Sequence, residues 1–249
     1  MRATGVGVLD KVAAIMEVFA ADERALSPQD VAAALGLPLP TVYRLVHSMA
    51  EHGLLDRDGS VFQLGHTLMH LGARAADRID LRRRALPYLT KLNELSGESV
   101  HLAVRRGEIR VIVELVHSPK NIRSFAQVGD PLPLSVGASS KVLLSGLPDA
   151  EALNLAALSA ARFGLDALHD RAVLLEELAA ARREGVVVSI GTYHSDTSGI
   201  AAPVFGPGGV VVAAISLVAP TVRLGLEKQK DFIPAVVEAA RRTSASLGY

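Results

Sequence analysis

Between Ser27 and Leu64 two helix starts, a glycine stop and a hairpin follow one another, and few small folds accommodate that order. Ser27-Pro28-Gln29-Asp30 supplies an N-cap hydroxyl, a proline at the first helical position and an acid near the positive helix end. The helix it starts runs to about Leu35, where Gly36 can adopt the left-handed conformation that closes a helix, and Leu37-Pro38 leads into the next. In that next helix Val42, Leu45, Val46 and Met49 share one face and leave Thr41, Tyr43, Arg44, His47 and Ser48 on or beside the other. Upstream, Leu9, Val12, Ile15, Met16 and Phe19 recur at three- and four-residue steps and predict an amphipathic helix. Gly53 stops the third helix, and 54–64 alternates around Asp58-Gly59 as a two-stranded hairpin does. The pattern is a helix-turn-helix followed by a wing.

Such a unit has a mechanical use on DNA, because the second helix of the motif fits the major groove while flanking elements hold phosphates. On this reading Thr41, Tyr43, Arg44 and His47 face the bases, with Pro40 and Ser48 beside them, Ser27 on the preceding helix and Arg57 on the hairpin. Small winged three-helix units also bind proteins, so a sensor or scaffold with a protein partner is the second reading. Charge bears on the choice: residues 1–80 carry seven lysines and arginines against ten aspartates and glutamates, a net of minus three. Sequence-independent affinity for DNA comes from counterions released by lysine and arginine. A single copy would therefore hold a duplex weakly, and a homodimer or homotetramer on a pseudo-palindromic operator is expected, with shallow salt dependence.

The 249 residues exceed one ordinary domain and fall short of three, which predicts two domains of unequal size. Apolar residues make up 49% and charged residues 21%, enough for packed cores and too apolar for a disordered chain. Mean hydropathy is +0.30, yet the longest strongly apolar stretch, Val210 to Ala219, is about half a bilayer crossing. No membrane span is expected, and Asp10, Lys11 and Glu17 break the N-terminal apolar run that a secretory signal would keep. The chain has no cysteine, so disulfides, thiolate metal sites and redox thiols are excluded and a cytoplasmic location is expected.

Beyond the hairpin, Leu64, Leu68, Leu71 and Ala75 continue a helical stripe towards Asp80, Arg82-Arg83-Arg84 reads as a solvated charge run, and Leu86 to Leu95 is again helical. Short β-rich runs follow at Val100 to Val104, Ile109 to Leu115, Gly185 to Ile190, Ile200 to Phe205 and Val210 to Val218. Helical patterns lie between and after them, at Ala138 to Ser145, Asp149 to Leu158, Asp170 to Glu184 and from about Glu227 onward. The mixture predicts an α+β chain whose second part is one antiparallel sheet flanked by helices. Ser139-Ser140-Lys141 and Tyr193-His194-Ser195-Asp196 hold catalytic residue types, but triad members meet from distant positions, so the second cluster reads as a polar loop. His66 and His70 lack a third ligand, and Gly206-Pro207-Gly208-Gly209 lacks the lysine of a phosphate loop. No enzyme activity, metal or cofactor is expected.

One set of motifs in the first part comprises Val8-Leu9-Asp10-Lys11 through Ile15, Leu35-Gly36-Leu37-Pro38 with Thr41, Arg44 and Leu45, Gly53-Leu54, and Phe62-Gln63-Leu64-Gly65 with Leu71-Gly72. Further on come Gly129 through Pro133-Leu134, Gly137-Ala138-Ser139-Ser140-Lys141 to Leu144, Glu184-Gly185, Gly199 to Phe205, and Ala213-Ala214-Ile215-Ser216. In this order, along nearly its whole length, the chain resembles the IclR family of bacterial regulators. Two positions depart: Pro40 stands where the family usually has serine, and Ser140 where it has glycine.

The resemblance implies a winged helix-turn-helix over 1–65, a linker helix over 66–80 and an effector-binding, GAF-like sensor domain over 81–249. It further implies a small-molecule effector between the sheet and the loops, with Ala138, Ser139 and Ser140 at a helix start and Ser189, Gly199 and Ser216 lining the pocket. Backbone amides at a helix start favour a carboxylate, and Arg123 is a candidate second anion contact.

Overall fold

The structure is a computed structural model that describes residues 7–22, 24–77, 80–122, 124–165 and 171–249, with the backbone course alone for 72–77 and 80. The chain divides into two compact units, Met1–Arg78 and Ile79–Tyr249.

The first unit is built from α1 (Gly7–Ala21), α2 (Pro28–Leu35), α3 (Leu39–Glu51), the hairpin β1 (Leu55–Asp58) and β2 (Val61–Leu64), and α4 (His66–Asp77). The cap read at Ser27 forms as a reciprocal box: the Asp30 amide donates to Ser27 Oγ at 3.3 Å, and the Ser27 amide donates to Asp30 Oδ2 at 2.9 Å. Gly36 closes α2 at φ +63°, the left-handed conformation the turn into α3 requires. Ile15, Phe19, Val31, Val42, Val46, Met49, Leu55 and Phe62 form its core, so the apolar stripes of all three helices and the inner side of the wing meet. Leu26 adds to the wing: its amide donates to the Phe62 carbonyl at 2.9 Å and its carbonyl accepts from the Phe62 amide at 2.8 Å. Leu64 belongs to β2 and not to the stripe of the following helix, because Gly65 breaks the chain direction there. A Cβ on Gly65 would lie 2.3 Å from the Gly53 carbonyl oxygen, so only glycine permits this close passage.

The second unit comprises α5 (Asp80–Ser96), β3 (Ser99–Arg106), β4 (Ile109–Val116), β5 (Pro131–Pro133), α6 (Ala138–Ser145), α7 (Asp149–Arg162), α8 (Arg171–Glu184), β6 (Val187–Ile190), β7 (Thr197–Phe205), β8 (Val211–Pro220) and α9 (Leu226–Ser246). Its six strands form one sheet in the order β5-β4-β3-β8-β7-β6, every neighbouring pair antiparallel. Alternate residues of the central strands point to opposite faces. Val100, Leu102, Ile200, Ala202, Ile215 and Leu217 pack under α5 and α9, whereas Ala201 and Ala214 pack under α6, α7 and α8. Burial on both faces explains why β7 and β8 read as almost unbroken apolar runs.

Three further differences from the sequence reading have physical causes. The strand β5 has no apolar alternation to announce it; it is a short edge strand with prolines at both ends, a place where a missing N–H is tolerated. Helix α7 runs past Leu158 because Ser159 is buried within it, its hydroxyl accepting the Leu134 amide at 2.7 Å. The arginine run at 82–84 is not simply solvated: Arg82 Nε lies 2.5 Å from Glu114 Oε2, whose side chain is largely buried, and Arg84 donates to the Ser246 carbonyl on α9. Among the described residues no helix is long and apolar enough to cross a membrane.

Candidate functional site

Two surfaces carry the residues singled out in the sequence. On the first unit, Val42, Val46 and Met49 anchor α3 in the core, which turns Pro40, Tyr43, Arg44 and Ser48 to the outside and leaves Thr41 and His47 half-buried. The Tyr43 and His47 rings stack at 4.0 Å, and His47 also meets the edge of Phe62 at 5.1 Å, which joins the helix to the wing. His47 Nδ1 lies 2.9 Å from the Tyr43 carbonyl, which can only accept, so Nδ1 carries the proton. On the wing, Arg57 Nε donates to the Gly59 carbonyl at 2.7 Å and its guanidinium lies 5.9 Å from the centre of the Phe62 ring. Pro40 sits in the first turn of α3, where a proline is tolerated. Ser27 is set apart from this row, since its hydroxyl is engaged in the α2 cap.

In the second unit, the sheet face under α6 opens into a cavity of about 500 Å³. Ala138, Ser139, Ser189, Gly199 and Ser216 come together on its wall. The Ala138 amide at the start of α6 donates to Ser189 Oγ on β6 at 3.1 Å. A Cβ on Gly199 would meet that same oxygen at 3.6 Å, an ordinary van der Waals contact. Ser140 is a correction: it is fully buried, its hydroxyl donates to the Pro133 carbonyl at 2.9 Å, and it does not line the cavity. It faces β5 because successive residues of a helix start point about a quarter-turn or more apart. Arg123 lies outside the described residues.

The cavity also contains groups that the sequence reading passed over. His101 on β3 and Arg110 on β4 project into it and are 3% and 8% exposed. His101 Nε2, Arg110 Nε and Ser216 Oγ are buried without a hydrogen-bond partner, and among the described residues the only other such side-chain atom is Ser135 Oγ. Buried polar atoms are nearly always paired, so three orphans on one cavity wall mark a place prepared for something polar. Burial pushes the Arg110 guanidinium down to about 10, which leaves it charged at neutral pH. Burial first, then the charges of Arg110 and His117, pushes the His101 imidazole down to about 3, so it is neutral. The available signal in the sequence was a histidine among the apolar residues 100–104 and an arginine among the apolar residues 109–113. The rim is aromatic: Tyr193 and His194 lie with ring centres 4.2 Å apart, and Phe125 is 93% exposed.

Ser140 and Lys141, adjacent residues of catalytic types, are each bonded elsewhere. Lys141 Nζ is 2.5 Å from Glu177 on α8, and Ser140 is bonded to Pro133, so the lysine has a carboxylate partner and does not pair with that serine. Tyr193, His194 and Asp196 are rim residues of the cavity. His66 Nδ1 lies 3.2 Å from Asp56, and among the described residues no three histidine or carboxylate groups gather as a metal site would require.

Residues 8–59 match the IclR helix-turn-helix domain, and residues 73–245 match the domain described as bacterial transcriptional regulator IclR C-terminal. The HTH-type transcriptional regulator KipR of Bacillus subtilis is 30% identical over 226 residues, 90% of each chain. The glycerol operon regulatory protein of Streptomyces coelicolor is 31% identical over 249 residues, 96% of each chain. A crystal structure of an IclR homologue from Microbacterium hydrocarbonoxydans, complexed with 4-hydroxybenzoate, superposes with a TM-score of 0.80 at 28% identity, covering 97% of this chain and 99% of that one.

Proposed function

The chain belongs to the IclR family of bacterial transcriptional regulators, and we propose that it binds a pseudo-palindromic operator through α3 and the wing, as a homodimer or homotetramer, under the control of a small carboxylate-containing effector. In this reading 1–65 form the DNA-binding domain, 66–80 the linker and 81–249 the effector-binding domain. Tyr43, Arg44 and Ser48 are the exposed candidates for base contact, with Pro40, Thr41 and His47 beside them and Arg57 on the wing.

The observation that carries the effector half is the cavity in the second unit, with its three unpartnered buried polar atoms. A volume of about 500 Å³ is that of a small-molecule site, and a few converging polar groups on an apolar wall are how such sites orient a ligand. The homologue from Microbacterium hydrocarbonoxydans holds 4-hydroxybenzoate, and an aromatic acid of that size suits a cavity rimmed by Phe125, Tyr193 and His194. Binding in the second unit would act on DNA by changing how two reading heads are spaced, so that effector and operator alter each other's affinity.

The test is fluorescence anisotropy of the purified protein on duplexes from upstream of its own and neighbouring genes, against scrambled duplex at physiological salt. A preference for one upstream duplex, altered by a metabolite extract, is the expected result. Equal binding to every duplex, with or without extract, would discard the operator reading and bring a protein partner forward.

A further inference from the structure

We propose that the group in the cavity that takes the effector's carboxylate is Arg110, and that this residue makes the site select acids over their neutral isosteres. The inference rests on the effector reading above and sharpens it, because that reading left the anion at the amides that open α6. The geometry favours the sheet over the helix. One α6 amide, that of Ala138, is already occupied by Ser189 Oγ, and the basic residue in the first turn of the helix, Lys141, is paired with Glu177 on α8.

Arg110, by contrast, is a buried guanidinium with no charge among the described residues to balance it. Its side chain lines the cavity, its Nε has no hydrogen-bond partner, and among the described residues no carboxylate comes within ion-pair distance of it. Two acids line the same cavity without reaching it: Asp130 Oδ2 accepts the Gln127 amide at 2.6 Å, and Asp196 is exposed to solvent. A buried charge without a partner is costly to keep, whereas a planar guanidinium meets a carboxylate through two parallel hydrogen bonds. The remaining orphans complete the receptor. His101 Nε2 and Ser216 Oγ sit on neighbouring strands at directly paired positions, and both are uncharged groups able to bond a ligand oxygen. Leu132 and Val218 on the wall and Phe125 at the rim suit an apolar body, so the ligand class is a carboxylic acid on a hydrocarbon or aryl skeleton.

The experiment uses the full chain and four acids, benzoate, phenylacetate, isobutyrate and hexanoate, each beside its primary amide, with thermal shift and calorimetry as readouts. At least one acid should stabilise the parent and bind at least about tenfold more tightly than its amide, the factor that one charge-assisted hydrogen bond commands. Arg110→Met, of similar length without the charge, should lose that preference and should melt higher than the parent when no acid is present, because the orphan cation is gone. Arg110→Lys keeps the charge without the fork and should retain a weakened preference, which serves as the test if the methionine variant fails to melt cooperatively. An acid that binds Arg110→Met as tightly as the parent would place the carboxylate elsewhere and overturn the proposal. So would a parent that ignores every acid or binds acid and amide alike. Operator anisotropy run in parallel separates the two levels: a neutral compound that shifts operator binding while all acids are silent keeps the effector reading and removes Arg110.

Discussion

Replacing Glu98 by glutamine keeps the shape of a side chain that ties three segments of the second unit together and removes its charge. Glu98, immediately before β3, has a side chain 5% exposed; Lys120 Nζ donates to it at 2.7 Å, and Arg223 donates from Nε at 2.7 Å and from Nη2 at 2.8 Å. Removing one member of a buried ion pair costs about 3–5 kcal/mol when the survivor is stranded without water. Lys120 and Arg223 keep 43% and 26% of their side-chain surface in water and can rehydrate, so the expected loss is about 2–3 kcal/mol. The pH dependence gives an independent check. Burial raises the Glu98 carboxyl, but the bonds from Arg223 and Lys120 outweigh it and hold it below its ordinary 4.5. A folded-state pKa below the unfolded one adds stability that is complete above the unfolded value and is lost as pH falls through the folded value. Urea unfolding of E98Q and parent, followed by far-ultraviolet circular dichroism, should therefore differ fully at neutral pH and converge as pH falls below about 4.5. Arg223 Nη2 also donates to the Ile122 carbonyl at 2.7 Å, so amide exchange over 118–122 should quicken in the variant. A loss under about 0.5 kcal/mol, the range of an exposed pair, or one that is the same at every pH, would refute the reasoning.

Arg44→Ala should weaken operator binding by about 1–3 kcal/mol in anisotropy titrations if the guanidinium reads a base edge; binding equal to the parent removes Arg44 from the interface. Ser27→Ala removes the capping box and should cost about 1 kcal/mol in the unfolding of the first unit, with faster exchange at the Asp30 amide; unchanged exchange there would mean the hydroxyl does not hold the helix end. Ser216→Phe fills the cavity from β8 and should abolish the thermal shift produced by any effector found in screening, whereas a shift that persists would move the site elsewhere.

Most of the first unit was legible in the sequence because its determinants are local. A cap, a glycine stop and a three-to-four repeat each act within a turn or two of chain, and Ser27, Gly36 and the Val42-Val46-Met49 stripe did so here. The strands of the second unit were legible as runs, since burial on both faces makes them apolar throughout. Their edges were not. The strand at 131–133 depends on β4 offering it hydrogen bonds, a fact about the register Ile109–Pro133 to Val111–Pro131 that no local pattern carries.

The cavity was legible in part and through resemblance. Ala138, Ser139, Ser189, Gly199 and Ser216 were named because the chain resembles a known family, whereas His101 and Arg110 were passed over inside runs read as packing. Alternation assigns a side chain to a face of the sheet, but whether that face is filled or hollow depends on where α6 starts and on where the loop residues 124–126 and 192–196 lie. The same logic misplaced Ser140: one residue after Ser139, it turns towards the Pro133 carbonyl and becomes part of the packing. A charged residue that a strand buries is therefore the more telling signal. Arg110 has no carboxylate within ion-pair distance among the described residues, and a buried charge without a partner costs stability, so the proposed effector carboxylate gives the residue a purpose that packing alone does not.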